Sequence, residues 1–210
     1  QEEKFDLGRM FGFAYGEKEN GAVFSHMTVM YANALYQRGF VKEGYKALYT
    51  LLEQAMNTKV SRMYPGIPEY FDAQGKGKYP YLTGAASWYM MTVVTQIYGF
   101  RGLWGDLMIE PKILSTQFDA LGNFSAEIPY RGQIFSVVYQ NPEHKEYGTY
   151  KISEIWIDGT LYKEPEEKSV CIPFSVLEGK KAHTFPIIHT SRLPTIFLFL
   201  PRVTLFRHLN

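Results

Sequence analysis

The sequence is poor in the elements that would tie it to metal, disulfide or membrane. A single cysteine, Cys171, leaves no partner for an internal disulfide. No Cys/His spacing resembles a zinc site, so neither staple is expected to hold the fold. Charge of one sign is also missing. Twenty-two Lys and Arg against twenty-one Asp and Glu give a formal charge of +1, which provides no long-range field toward nucleic acid or an anionic membrane. There is no hydrophobic run of membrane-spanning length: the most apolar stretch, Leu193 to Pro201, is short and interrupted by prolines. The N-terminus, opening Gln1-Glu2-Glu3-Lys4, lacks a basic segment followed by an apolar one, so no secretory signal is expected. A reducing, cytoplasmic location fits these features.

What is present is a globular composition, 46% hydrophobic and 20% charged over 210 residues, enough for one large or two small domains. Aromatic residues reach 16%, which suits both ring-stacking surfaces of the kind sugars use and the filling of a helical and β-rich core. A neutral or sugar-like ligand is the better match to the charge balance.

From Gly21 to about Gln37, Phe24, Met27, Met30, Tyr31 and Leu35 recur at helical spacing until Gly39 ends the run. A second helix opens at Val41-Lys42-Glu43 and carries Tyr45, Leu48, Leu51, Leu52, Ala55 and Met56, giving an αα-hairpin with a short link. A loop rich in Pro and Gly follows through Tyr79-Pro80. A third helix is predicted from Thr83 or Gly84 to Gly99. After Gly105 the beat changes to two residues, with strands around Leu107–Glu110, Phe124–Ile128, Ile134–Tyr139 and Ile152–Ile157, and Asp158-Gly159 marks a hairpin turn. Several strands without intervening helix favour a two-sheet sandwich or jelly roll. The fold class read from this pattern is α+β, helical before a boundary at residues 102 to 106 and antiparallel β after it. The stretch 193–210 differs in character from the preceding β region and reads as a tail not native to the chain.

Three patches are suited to chemistry. In Gly16 to His26 a polar run enters a helix, so that Glu19, Asn20 and His26 can face one pocket; equally, Glu19 and Asn20 can serve the helix start and His26 can be a satisfied core or surface histidine. In Tyr81 to Trp88 a hydroxyl and a glycine sit at a helix start. The free N–H groups and the dipole there suit an oxyanion, while Thr83 as an ordinary N-cap explains the same residues. Pro68 to Asp72, beside Gly75-Lys76-Gly77, offers carboxylates and aromatic faces either as a sugar lid or as a solvated connector.

Taken in order, Glu19-Asn20-Gly21 with His26, Tyr64-Pro65, Leu82-Thr83-Gly84-Ala85-Ala86-Ser87-Trp88 and Gly105 to Pro111 resemble the cellobiose and chitobiose phosphorylases of glycoside hydrolase family ninety-four. The resemblance covers roughly residues 10 to 115, and the β region fits the family's C-terminal jelly roll by position only. It implies that residues 1–104 are the last hairpins of a six-hairpin (α/α) toroid, that 105–192 are an antiparallel β-sandwich, and that 193–210 are an atypical tail. It also implies that His26, Thr83 and Gly84 hold inorganic phosphate as co-substrate, with no other cofactor and no metal, and that Glu19 and Asn20 lie on the sugar side. The carbohydrate and phosphate are the expected partners, with neither nucleic acid nor membrane, and a homodimeric parent.

The family's catalytic acid lies upstream of the Glu-Asn-Gly motif and an additional arginine is expected there too, so the resemblance places no catalytic residue in this chain and implies that the chain alone is inactive. One departure concerns Tyr64-Pro65-Gly66-Ile67-Pro68-Glu69: where family members commonly place glutamine after the Tyr-Pro element, Glu69 stands as the substitute polar contact or as the mark of a different disaccharide. Two further readings stay open. One is a toroid hydrolase with Glu19 or Glu69 as base; the other is a carbohydrate-binding sandwich with a helical adapter.

Overall fold

A computed structural model describes residue 6 and residues 8–64, 66–80 and 84–178. Thr83 and the stretch 193–210 lie outside the described residues. The chain is α+β. Among the described residues the strands make small antiparallel sheets and no closed barrel.

The first two long helices form the expected αα-hairpin. α1 (Ser25–Gln37) ends at Gly39, whose φ of 82° suits glycine, and α2 (Val41–Met56) returns along it. The helices approach closely because Gly44 has no side chain: a Cβ there would stand 2.6 Å from the Tyr36 ring. Periodicity gives the right helix for α1, but the apolar residues that carry it are not the buried stripe. Met27, Met30 and Tyr31 are exposed at 66, 45 and 61%, and the buried stripe is Ser25, Val29, Ala32, Asn33 and Tyr36. The physical reason is a polar pair inside the interface: Asn33 Nδ2 donates to Thr92 Oγ1 at 3.0 Å, and Gln37 Nε2 donates to Asn33 Oδ1 at 2.7 Å. Once satisfied, these polar groups tolerate burial, and the smaller Val29 and Ala32 pack with them.

A short turn of helix, α3 (Thr58–Ser61), leads to Tyr64 and the Pro/Gly-rich segment. That segment, expected as a long loop, contains a hairpin. β2 (Tyr70–Phe71) pairs with β3 (Gly77–Lys78) and with β1 (Val23–Phe24), the strand that runs into α1. Asp72 closes the hairpin by accepting from the Gln74 and Lys76 N–H groups at 3.0 and 2.9 Å, a local turn that Asp favours.

α4 (Gly84–Thr92) continues into one π-helical turn, Val93–Ile97. It runs parallel to α1, because Gly84 lies against His26 at one end of the pair and Thr92 against Asn33 further along. Gly99 (φ 63°) ends it, where any Cβ would collide with the Glu110 carbonyl.

Three hairpins follow the helices. Each closes on a two-residue turn with both φ values positive, namely Trp104-Gly105 (52°, 97°), Arg131-Gly132 (49°, 77°) and Asp158-Gly159 (49°, 76°). That geometry matches the twist of antiparallel strands. The first joins β4 (Phe100–Leu103) to β5 (Asp106–Ile109), so the expected boundary at residues 102 to 106 coincides with a hairpin turn. The second joins β6 (Asn123–Tyr130) to β7 (Gln133–Gln140), and the third β8 (Ile155–Ile157) to β9 (Thr160–Lys163). β10 (Val170–Ile172) adds to the other edge of β5, and the short α5 (Phe174–Leu177) follows it. Alternation sets the buried face: Phe135, Val137 and Tyr139 on β7 oppose Ile128, Ala126 and Phe124 on β6.

One continuous apolar cluster runs from Val29, Tyr36 and Leu48 through Phe100, Ile109 and Ile113 to Phe135, Ile152 and Ile172. Polar ties cross it. Lys112, only 4% exposed, donates to the Tyr36 carbonyl at 3.0 Å and to Gln96 Oε1 at 3.1 Å, placing a cation at the C-terminal end of α1. The Tyr139 hydroxyl donates to the Tyr98 carbonyl.

Candidate functional site

The site builds from the start of two helices. Parallel packing sets the first turns of α1 and α4 side by side, so the positive ends of both helix dipoles meet at one place. Neither first turn carries an acidic residue, and the N-cap of α1, Phe24, has no side chain able to cap. α2, in contrast, has Glu43 in its first turn. Two helix starts in contact, with no acidic residue in either first turn, form a region suited to an anion.

His26 lies between them. An ideal Cβ on Gly84 would stand 2.5 Å from its Cε1, 2.7 Å from its Nδ1 and 2.9 Å from its Nε2. The nitrogen-bearing edge of the imidazole therefore faces the main chain at the start of α4, at a distance that only glycine permits. The Trp88 ring, one helical turn on, packs on the imidazole with centroids 5.6 Å apart. Nε2 is buried with no hydrogen-bond partner among the described residues, and the same holds for Oγ of the adjacent, fully buried Ser25. Unmatched buried polar atoms are costly, and among the described residues two such atoms fall on consecutive residues here.

The structure thus brings His26 and Gly84 together. Glu69 reaches the same region through its main chain, its carbonyl accepting from the Ser25 N–H at 2.9 Å; its carboxylate lies 3.8 Å from Lys18 Nζ. Asn20 is committed elsewhere: its side-chain Nδ2 donates to the Phe13 carbonyl at 2.8 Å, and its carbonyl accepts from the Gly16 N–H at 2.6 Å. Glu19 is exposed on the same turn.

Tyr70 and Asp72 belong to the expected lid or connector and Glu17 to the polar run before α1; the sequence does not show that they meet, with Lys78, in one cluster. Tyr70 donates to Glu17 Oε2 at 2.7 Å, Lys78 donates to Glu17 Oε1 at 2.9 Å, and Lys78 lies 3.4 Å from Asp72. The Tyr70 hydroxyl, and after it the Lys78 ammonium, hold the Glu17 carboxyl below the usual carboxylate range, and Glu17 in turn raises Lys78. A two-residue apolar-aromatic step at Tyr70-Phe71, an Asp-led turn and Gly77-Lys78 were the available signal for this hairpin, and its strands are too short for periodicity to reveal.

Among the described residues no group of His, Cys, Asp and Glu is arranged to hold a metal, and no helix is long and apolar enough to cross a membrane.

No family model matches the chain. It is similar to the cellobionic acid phosphorylase of Neurospora crassa, 26% identical over 156 residues, which covers 67% of this chain. It is similar also to the N,N'-diacetylchitobiose phosphorylases of Vibrio furnissii and Vibrio proteolyticus, 28 and 27% identical over 155 and 156 residues, each covering 70% of this chain. The chain spans 19% of the length of each of these relatives. This likeness supports the phosphorylases at the level of the family.

Proposed function

We propose that the chain is the C-terminal part of an inverting glycoside phosphorylase, which cleaves a β-linked di- or oligosaccharide with inorganic phosphate and releases a sugar 1-phosphate. Residues 1–104 close an (α/α) toroid, and 105–192 form a β-sandwich beside it. The observation that carries this reading is the edge of the His26 imidazole set against Gly84 where the starts of α1 and α4 meet, neither with an acidic residue in its first turn.

A phosphate there finds an imidazole N–H, main-chain N–H groups and two positive dipole ends, together with the Thr83 hydroxyl that the resemblance assigns to it. Nε2 is shielded, so entry requires a small movement of the ring or its cover, after which the anion supplies the missing partner. Donors fixed in advance orient an already anionic nucleophile, so no base is needed to activate water. One phosphate oxygen forms a bond to the anomeric carbon from the face opposite the leaving group, the glycosidic C–O bond breaks, and a carboxylic acid from the upstream part protonates the departing oxygen. Glu19, Asn20 and Glu69 lie on the sugar side.

Titration of the 210-residue chain with inorganic phosphate tests this. Saturable shifts of the His26 ring resonances are expected, lost in His26→Ala. A chain that shows no saturable response, or a His26→Ala variant that binds as the parent does, refutes the phosphate site. Turnover by the parent protein in phosphate-free buffer would favour a hydrolase instead.

A further inference from the structure

The turn that carries Glu19 and Asn20 grips the β2–β3 hairpin with three consecutive residues. Gly16 touches the tip of the hairpin: a Cβ on it would stand 2.5 Å from that of Ala73. Glu17 takes one rung of the ladder, bonding Tyr70 at 2.7 Å and Lys78 at 2.9 Å, and these two residues are a cross-strand pair. Lys18 takes the next rung, where the Glu69 N–H meets the Tyr79 carbonyl at 3.3 Å. Its ammonium lies 3.8 Å from the Glu69 carboxylate and 3.9 Å from the centre of the Tyr79 ring.

The charges on the two rungs are complementary and opposite in order: a carboxylate meets a lysine on one, and a lysine meets a carboxylate on the other. Exchanging Glu17 and Lys18 would place like charges together. Lys18 and Tyr79 both have left-handed backbone, with φ of 46° and 59°, a conformation kept only where the surroundings hold it.

The gripped hairpin then acts on α1. Glu69, on the second rung, accepts from the Ser25 N–H, one residue before His26. β2 also pairs with β1, Phe24 facing Tyr70. We infer that Glu17, Lys18 and Lys78 form a two-rung latch that positions His26 through the Glu69–Ser25 bond and fixes the Glu19-Asn20 turn relative to it. These are positioning residues, and their purpose rests on the phosphate reading above.

The test uses the whole chain, with hydrogen exchange at the Ser25 amide and inorganic phosphate titration as separate readouts. Glu17→Gln and Lys78→Met are expected to speed Ser25 exchange about tenfold or more and to weaken phosphate binding several-fold. Lys78→Arg, which keeps the charge, should restore both to within about twofold. Tyr70→Phe removes one hydroxyl without disturbing the chain and should give an intermediate effect if Glu17→Gln fails to fold.

Unchanged Ser25 exchange in Glu17→Gln and Lys78→Met would overturn the latch whatever phosphate does. Faster exchange with unchanged phosphate affinity, in a chain whose binding His26→Ala abolishes, would overturn the positioning role. Failure of the phosphate reading itself shows separately, as binding that is indifferent to His26→Ala.

Discussion

Replacing Gly84 with alanine probes the anion cradle while changing the fold least. The added methyl would stand 2.5 to 2.9 Å from three atoms of the His26 ring, so the imidazole must rotate or shift away. For stability two effects oppose each other. Alanine favours a helix over glycine by up to about 1 kcal/mol, while forcing a group into an occupied space costs about 1–3 kcal/mol; the net lies between about zero and a loss of about 3 kcal/mol. For binding they do not oppose. The methyl occupies the space between imidazole and main chain, and the displaced ring no longer aims at the anion. Loss of one charge-assisted hydrogen bond, about 1.5–3 kcal/mol, weakens phosphate binding by between about tenfold and a hundredfold. Phosphate titration followed through the His26 ring resonances, with a denaturant melt of the same sample, measures both. A Gly84→Ala chain that melts like the parent and binds phosphate within about twofold of it would refute the cradle.

Lys112→Ala removes the buried cation that joins Tyr36 and Gln96 and leaves Gln96 Oε1 without it. It is expected to cost about 2–4 kcal/mol in denaturant unfolding. Phe135→Ala, at a fully buried position packed against Phe100 and Tyr130, is expected to cost about 3–5 kcal/mol by the same measurement. The latch should also respond to acid. The Glu17 pKa is lowered in the folded chain, so its stabilisation is complete above the ordinary Glu value of about 4.3 and is lost as pH falls through the lower folded value. Lys78, raised, holds its contribution until pH climbs past the ordinary lysine value of about 10.4. With Tyr70, Lys78 and Asp72 the groups facing Glu17, the Ser25 amide resonance should therefore show a transition below about pH 4.3; a chain carrying Glu17→Gln should lack that acid transition.

How much of this was legible in the sequence depended on the length of each signal. Long elements were readable: the αα-hairpin, the helix after Gly84, and the paired strands β6 and β7 all repeat a period over eight or more residues. Asp158-Gly159 announced its turn, and Arg131-Gly132 and Trp104-Gly105 repeat the same X-Gly step with less typical first residues. Strands of two or three residues, such as β1, β2 and β3, carry no period at all. For the candidate site, motif context pointed to His26 and Gly84, which the fold sets side by side, whereas the commitment of Asn20 to Phe13 and the contacts of Glu17 depend on which segments meet in space.

The phase of α1 shows why apolar periodicity identifies a helix without identifying its buried face. Periodicity counts apolar residues, and Met27, Met30 and Tyr31 outweigh Val29 and Ala32 in that count. What decides burial is which stripe fits its neighbours. Tyr36 against Gly44 and Asn33 against Thr92 fix the rotation of α1 toward α2 and α4, and that rotation carries Ser25 to the buried stripe and His26 to the start of α4. Rotating α1 to bury Met27 and Met30 instead would separate His26 from Gly84 and leave Asn33 without Thr92. The polar pair in the helix interface and the imidazole at its end are therefore consequences of one packing choice, and the exposed methionine-tyrosine face is its complement.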